Sequence, residues 1–200
     1  MKKSILIIAI ILVIALIIGG VVFLSNNGSK PVIDIATAEN LEEIISQVNE
    51  KANLGLASLA STVVDVTDSE SVKYYTGLQS NANVESVVVS EPMMSSQAYS
   101  FVLVKVSEEA DVEAMKKEMV DNIDTRKWIC VEAEKVYATN HSNLICLVMS
   151  NEEWAKPVYN AFKEVVQEKV GAEWERTAEV AEMPDDFDYE GLPGAQQPAF

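Results

Sequence analysis

His141 is the single histidine of the 200-residue chain, and it limits the catalytic chemistry that the sequence supports. It stands in Asn140-His141-Ser142-Asn143, a run of turn-forming residues between two predicted strands. A Ser-His or Cys-His dyad would require this histidine to reach Ser142 or a cysteine and to be oriented by a third group. The sequence contains no nucleophile elbow, phosphate loop, CxxC or HExxH motif. It therefore predicts no catalytic residues, no metal ligands and no cofactor.

Cys130 and Cys146 are the two cysteines of the chain. In an oxidising compartment they are able to pair, and a bridge between them would close a loop of about 17 residues and stabilise the fold by about 3 kcal/mol. The alternative is that both are small buried hydrophobic side chains. A disulfide between Cys130 and Cys146 is therefore a hypothesis that two cysteines alone do not decide.

Two aromatic segments are candidates for an interaction site. In Arg126-Lys127-Trp128 an arginine stands beside an aromatic residue, as in many binding hot spots. Tyr74-Tyr75 is a second aromatic pair. The competing interpretation is that Trp128 covers the edge of the core and that one tyrosine points inward. Arg126, Trp128, Tyr74 and Tyr75 are the predicted interaction residues.

Period-2 and period-3.6 patterns define the elements that would position these residues. The predicted strands are Val84–Ser90, Ala98–Val106, Lys135–Thr139 and Leu144–Met149. The predicted helices are Leu41–Ala52 with Asn40 as its cap, Glu70–Thr76 capped by Asp68 or Ser69 and ended by Gly77, and Ala110–Ile123 capped by Ser107. Ser150 starts another turn of helix, and the main helix, with Pro157 in its first turn, runs to Val170 and stops at Gly171. The pattern of Leu54–Val66 is ambiguous, and Ala172–Ala181 is compatible with a continued helix.

Two stretches share one order of elements: strand, turn, strand, serine, acidic pair, helix. Phe101–Ser107 with Glu108-Glu109 corresponds to Leu144–Ser150 with Glu152-Glu153. This similarity predicts an α+β fold, in which two ββα units form one mostly antiparallel sheet with the helices packed on one face. The acidic pairs at the helix starts are explained by the helix dipole.

The first 24 residues indicate where the protein is located. Residues 5–24 are uncharged and rich in Ile, Leu and Val, and twenty helical residues span a bilayer of roughly 30 Å. Lys2 and Lys3 place the N-terminus in the cytoplasm. The predicted organisation is a cytoplasmic N-terminus (1–4), a transmembrane signal anchor (5–24), a linker (25–37), an extracytoplasmic α+β domain (38–171) and an acidic, partly disordered tail (172–200). A cleaved signal peptide is the alternative to an anchor.

The charge of the chain restricts its partners. It carries 15 Lys and Arg against 31 Asp and Glu, a formal charge of −16, and every acidic residue lies beyond residue 30. Nucleic acid binding requires a basic surface, so we expect no nucleic acid partner. The expected partners are the lipid bilayer, through residues 5–24, and an envelope protein or small ligand.

The order of elements also resembles a family of unknown function, DUF4358. The resemblance covers residues 65–168 and rests on Tyr74-Tyr75-Thr76-Gly77, Val84-Glu85-Ser86-Val87, Ala98–Val106, the helix ending near Arg126, and the Leu144–Met149 strand. Members are typically lipoproteins or membrane-anchored envelope domains of clostridia-like Gram-positive bacteria. This chain has a hydrophobic segment in place of a lipobox cysteine. The resemblance implies one envelope-facing domain and no particular active site.

The leading functional hypothesis is a membrane-tethered extracytoplasmic domain that binds a protein or a ligand of the cell envelope without catalysis. The alternative is a small envelope hydrolase that uses carboxylates. A deep pocket with convergent carboxylates would favour the hydrolase.

Overall fold

The structure is a computed structural model that describes residues 38–178, apart from residues 57 and 95. The described chain forms four helices: α1 (Ala38–Ala52), α2 (Ser69–Thr76), α3 (Val112–Asn122) and α4 (Glu152–Val165). Its six strands are β1 (Leu59–Val64), β2 (Val84–Pro92), β3 (Tyr99–Val106), β4 (Lys135–His141), β5 (Leu144–Ser150) and β6 (Trp174–Thr177).

The predicted membrane anchor (5–24), the linker (25–37) and residues 179–200 of the predicted tail lie outside the described residues. Among the helices that the structure does describe, none has the length and apolar character needed to cross a bilayer.

The six strands form one antiparallel sheet with the order β1-β2-β3-β5-β4-β6. Both predicted hairpins, β2-β3 and β4-β5, lie in this sheet, and β3 pairs with β5 at its centre, with Phe101 opposite Val148. The predicted α+β class and the single antiparallel sheet are therefore confirmed.

Helices cover both faces of the sheet, so the prediction that they pack on one face is wrong. On one face, Met115 and Met119 of α3 and Val72 of α2 belong to the same cluster as Val102 and Val104 of β3. On the other face, α1 packs against α4, Tyr99 bonds to α1 and Tyr137 stacks on Tyr159 of α4. β5 is buried along its whole length, and a continuous apolar strand of this kind is typical of a sheet covered on both sides.

The two ββα units are consequently not symmetric copies. If the two units were symmetric copies, a two-fold axis would exchange the antiparallel neighbours β3 and β5. Such an axis stands perpendicular to the sheet, so it would leave the two following helices on the same face. Instead α3 and α4 lie on opposite faces. The connections also differ, because five residues separate β3 from α3 and only Asn151 separates β5 from α4.

The helix ends follow their capping residues. Asp68 accepts a hydrogen bond from the Glu70 amide at the start of α2, and Gly77 ends α2 with φ 80°, as predicted. At α3 the cap is Asp111, which accepts from the Ala114 amide, so the prediction of Ser107 is wrong. α1 begins at Ala38, before the predicted cap Asn40.

The domain continues beyond its predicted end at Gly171. Residues 174–177 form β6, which pairs with β4, so the prediction of a helical extension or tail from residue 172 is wrong there. The fully buried Nζ atom of Lys116 donates to Asn140 Oδ1 (2.6 Å) and to the backbone oxygen of Ala172 (2.7 Å). These bonds hold the approach to β6 against α3.

Candidate functional site

A lysine inside a ring of three aromatic side chains is the centre of the candidate site. The Nζ atom of Lys127 lies 4.8 Å from the ring centroid of Tyr74, 5.0 Å from that of Tyr75 and 5.3 Å from that of Trp128. Each distance is within the range of a cation–π interaction. Tyr74 and Tyr75 meet edge to face, with centroids 4.9 Å apart. We call Tyr74, Tyr75, Lys127 and Trp128 the aromatic ring cluster.

Glu91 completes the cluster as the counter-ion of Lys127. Its Oε1 atom lies 2.6 Å from Nζ, and the side chain of Lys127 is 1% exposed. The Ser100 hydroxyl lies 3.4 Å from the same Nζ atom. Burial lowers the pKa of Lys127, and the Glu91 carboxylate partly offsets this effect. Burial, with the Glu91 charge, raises the pKa of both tyrosines.

Three separate segments supply these residues. Tyr74 and Tyr75 stand in the last turn of α2, Glu91 lies near the end of β2, and Lys127 and Trp128 belong to the connection between α3 and β4. Tyr75 and Trp128 also pack against the buried core on that face of the sheet. The cluster therefore fixes the α3–β4 connection to α2 and to the end of β2.

Exposed apolar side chains belong to the same three segments as this cluster. Tyr74 is 49% exposed, and Ile129, which follows Trp128, is 69% exposed. Met93 and Met94 follow Glu91 by two and three residues and are 78% and 66% exposed. They are four of the five large hydrophobic residues found exposed among the described residues. We call Tyr74, Met93, Met94 and Ile129 the apolar surface.

A groove of about 360 Å³ adjoins the cluster, lined by Arg126, Trp128, Cys130, Val131 and Glu132. The Arg126 side chain is exposed, and no acidic residue of the described part of the chain forms an ion pair with it. The groove thus presents an unpaired guanidinium, one carboxylate and an indole ring side by side.

The structure places three of the four predicted interaction residues, Tyr74, Tyr75 and Trp128, around the Nζ atom of Lys127. The fourth, Arg126, lies in the adjoining groove. Sequence analysis missed Lys127, although it stands between two of the predicted residues. It also missed Glu91, because no spacing rule connects the end of a strand to a residue 36 positions later.

Both cysteines are free in the structure, so the disulfide between Cys130 and Cys146, one of the two hypotheses drawn from the sequence, is not formed there. Cys146 is fully buried in β5, on the face where it lies near Tyr99 and Tyr159. Cys130 is exposed in the α3–β4 connection, next to the groove. Burial raises the pKa of the Cys146 thiol, so this side chain behaves as the small core residue of the alternative interpretation.

His141 is the last residue of β4 rather than a turn residue. Its Nδ1 atom lies 2.8 Å from the backbone oxygen of Lys169. Within the described residues, no group of three His, Cys, Asp or Glu side chains is arranged to hold a metal ion.

A second cluster of ionisable groups lies on the opposite face of the sheet. The Tyr137 hydroxyl donates to Glu152 (2.6 Å) and the Tyr159 hydroxyl donates to Glu173 (2.9 Å). Lys156 Nζ lies 4.5 Å from the Tyr137 ring centroid. Both tyrosines are almost completely buried, and their hydrogen bonds join α4 to β4 and to the segment before β6.

Comparison with known proteins identifies no relative: no protein-family model, no curated protein sequence and no solved structure matches the chain. The resemblance to DUF4358 therefore stays a prediction.

Proposed function

We propose that this chain is a membrane-tethered, extracytoplasmic binding domain that recognises an envelope protein through the apolar surface. The observation that carries the proposal is that four of the five exposed large hydrophobic residues of the described chain, Tyr74, Met93, Met94 and Ile129, belong to the segments that the Lys127–Glu91 ion pair and its aromatic rings join. Contiguous exposed apolar residues are typical of protein interaction sites, and tyrosine and methionine are enriched in interfaces.

The aromatic ring cluster supports this proposal because it holds the surface in one shape. Lys127 bonds to Glu91 and contacts three rings, so the α3–β4 connection that carries Ile129 is tied to α2 and β2. A surface that is already ordered loses little conformational entropy when a partner binds. Residues that become ordered only when a partner binds would lose much more conformational entropy.

The location belongs to the proposal and rests on sequence. Residues 5–24 are apolar over a bilayer length and follow Lys2 and Lys3. In this arrangement the domain faces outward, and tethering raises the local concentration of a partner in the same membrane. An envelope domain related to DUF4358 fits this arrangement.

Photo-crosslinking in native membranes tests the binding surface. A photoreactive amino acid is placed at Tyr74 or Ile129 of the full chain, and the control carries it at Val63, a residue of β1 that is 51% exposed. We expect one defined adduct with an envelope protein from Tyr74 and Ile129 and none from Val63. A second substitution, Met93→Ser, should reduce the Ile129 adduct severalfold.

Equal labelling at all three positions, or a Met93→Ser variant that crosslinks as well as the parent, would show that the apolar surface is not the binding site.

The location of the domain is tested by a separate experiment. Protease added to intact protoplasts should digest the domain of the full chain, and protection from the protease would contradict an outward orientation.

A further inference from the structure

The two edges of the sheet differ in how well they are protected against pairing with another strand. At one edge, β6 has four residues, and its Glu175 and Arg176 are charged, with Glu175 bonded to Lys135. At the other edge, β1 has six residues, Leu-Ala-Ser-Thr-Val-Val, without a charge or a proline. Short, charged edge strands resist pairing, whereas a longer uncharged edge is a template for another strand. The β1 edge is therefore the one suited to pairing.

The outer side of β1 is open within the described part of the chain. Residues 60–63 are exposed, and no described strand pairs with β1 on the side away from β2. The pairing with β2 is continuous from Leu59 to Val64 and contains no bulge that would twist the edge away. Val63, 51% exposed, is the one exposed large hydrophobic residue of the described chain that does not belong to the apolar surface.

The register of β1 against β2 determines which of its backbone groups point outward. The Met93 amide donates to the Ser58 oxygen (3.2 Å), and these residues stand opposite each other, next to the first pair of the register. Opposed residues that share hydrogen bonds alternate with opposed residues that share none. Ser58 and every second residue after it therefore bond to β2. Leu59, Ser61 and Val63 direct their amide and carbonyl groups to the open side.

The outward groups of β1 are complementary to themselves. A two-fold axis perpendicular to the sheet at Ser61 places Ser61 opposite Ser61 of a second copy, and Leu59 opposite Val63 of that copy. Each opposed pair exchanges two backbone hydrogen bonds, so this register satisfies all the outward groups of the three residues. The exposed Val63 side chain also gains a cross-strand hydrophobic neighbour, Leu59 of the second copy.

Charge also favours a second copy in this register. The chain has a formal charge of −16, so two copies repel each other, but β1 carries no charge. Asp65, the acidic residue nearest to β1, stands four residues from the axis. The two Asp65 residues are therefore about 27 Å apart, well beyond the screening length of about 8 Å at physiological salt.

We propose that the chain pairs with a second copy of itself through β1, so that two six-stranded sheets join into one antiparallel sheet about an axis at Ser61. The axis keeps α1 of both copies on the same face of the joined sheet, so both N-terminal segments leave on one side, as two chains in one membrane require. The inference goes beyond the proposed function, because the pairing uses the backbone of β1 and not the apolar surface.

Cysteine crosslinking measures the register of the pair. In cells that express the full chain with Cys130→Ser, a Ser61→Cys variant is oxidised with copper phenanthroline, and the disulfide-linked dimer is quantified. Opposed hydrogen-bonded residues have Cα atoms about 5.5 Å apart, which suits a disulfide. Thr62→Cys is the matched control, because it is also exposed but its two copies would be about 8 Å apart. We expect at least fivefold more dimer from Ser61→Cys.

Proline substitutions separate pairing from folding. The link is measured between a copy with Leu59→Cys and a differently tagged copy with Val63→Cys. Ser61→Pro removes an amide that points outward, so it should reduce this link at least fivefold and leave the midpoint of denaturant unfolding near that of the parent. Thr62→Pro removes an amide that bonds to β2, so it should lower that midpoint.

Equal dimer yields from Ser61→Cys and Thr62→Cys, no dimer from either, or a disulfide to a different protein would overturn the proposal. A photoreactive residue at Val63 would link two copies of the chain. That adduct contains no envelope protein, so Val63 stays a valid control for Tyr74 and Ile129. Because pairing and capture are measured at different residues, failure of one leaves the other standing.

Discussion

Lys127 and Glu91 form an ion pair whose atoms lie 2.6 Å apart while the lysine side chain is 1% exposed. A second pair on the same sheet, Lys105 and Glu85, has the same length, but its side chains are 18% and 45% exposed. Bond length therefore does not distinguish the two pairs, whereas burial does. The buried pair has aromatic rings around its cation, and the exposed pair is screened by solvent.

This difference predicts unequal effects on stability. Lys127→Met should lower the free energy of unfolding by roughly 3 kcal/mol, because it leaves a partly buried carboxylate without its partner. Lys105→Met should lower it by less than about 1 kcal/mol. Denaturant titration followed by tryptophan fluorescence measures both.

The double variant Lys127→Met with Glu91→Gln separates the pair from the packing. Its loss in free energy of unfolding should be smaller than the sum of the losses in the two single variants, because no unpaired charge remains in the double variant. Additive effects would show that Lys127 stabilises the fold through its methylene groups and not through the ion pair.

The sequence predicts best what depends on local pattern. The alternation in β2 and β3 and the cap and glycine of α2 are visible within a few residues, and each element was found with its bounds close to the prediction. β6 was missed because four residues, Trp-Glu-Arg-Thr, carry little local signal and form a strand only through pairing with β4.

The layer arrangement and the candidate site depend on contacts that are distant in sequence. The uninterrupted apolar run of β5 is typical of burial on both faces, but the similarity of the two ββα stretches favoured helices on one face. Tyr74, Tyr75 and Trp128 were recognisable as binding residue types. Their convergence on Lys127 and Glu91 requires the packing of α2 and of the α3–β4 connection against the sheet.

Gly77 should tolerate no side chain. Its φ is +80°, and a Cβ atom there would lie 2.7 Å from the Ile123 nitrogen and 2.9 Å from the Met119 oxygen. Both neighbours are backbone atoms and have no rotamer to change. Gly77→Ala should therefore lower the free energy of unfolding by about 3 kcal/mol.

Gly55 is the matched control. It also has a positive φ, +68°, but nothing lies within 4 Å of the Cβ position. Gly55→Ala should cost only the backbone strain, about 1 kcal/mol. Equal costs for the two variants in thermal unfolding would show that the contact with α3 contributes nothing.

The tyrosines of the second cluster predict a loss of stability in alkali. Burial first, and then the hydrogen bond to Glu152, raise the pKa of Tyr137 above its ordinary value of 10.0. The folded protein therefore keeps a proton that the unfolded chain releases. This contribution to stability is complete below pH 10 and is lost progressively as the pH rises further.

Tyr137→Phe removes this contribution, so above pH 10 the free energy of unfolding of the variant should fall less steeply than that of the parent. The difference between the two slopes should reach about 1.4 kcal/mol per pH unit. Lys127 acts in the opposite direction, since its lowered pKa makes stability rise with pH up to 10.5. Its effect cancels in the comparison of the variant with the parent. Tyr74→Phe, at a half-exposed tyrosine, should change the slope less, and equal slopes in Tyr137→Phe and the parent would contradict the prediction.

The two cysteines should react at very different rates. Cys130 is exposed, whereas Cys146 is fully buried and its thiol pKa is raised by burial. The thiolate is the nucleophile that attacks maleimide, so the folded protein should bind one equivalent of maleimide, at the exposed Cys130, without prior reduction. The Cys130→Ser variant should bind none until denaturant is added, and the parent should then bind two. If the denatured parent bound none without a reductant, the cysteines would be paired in a disulfide.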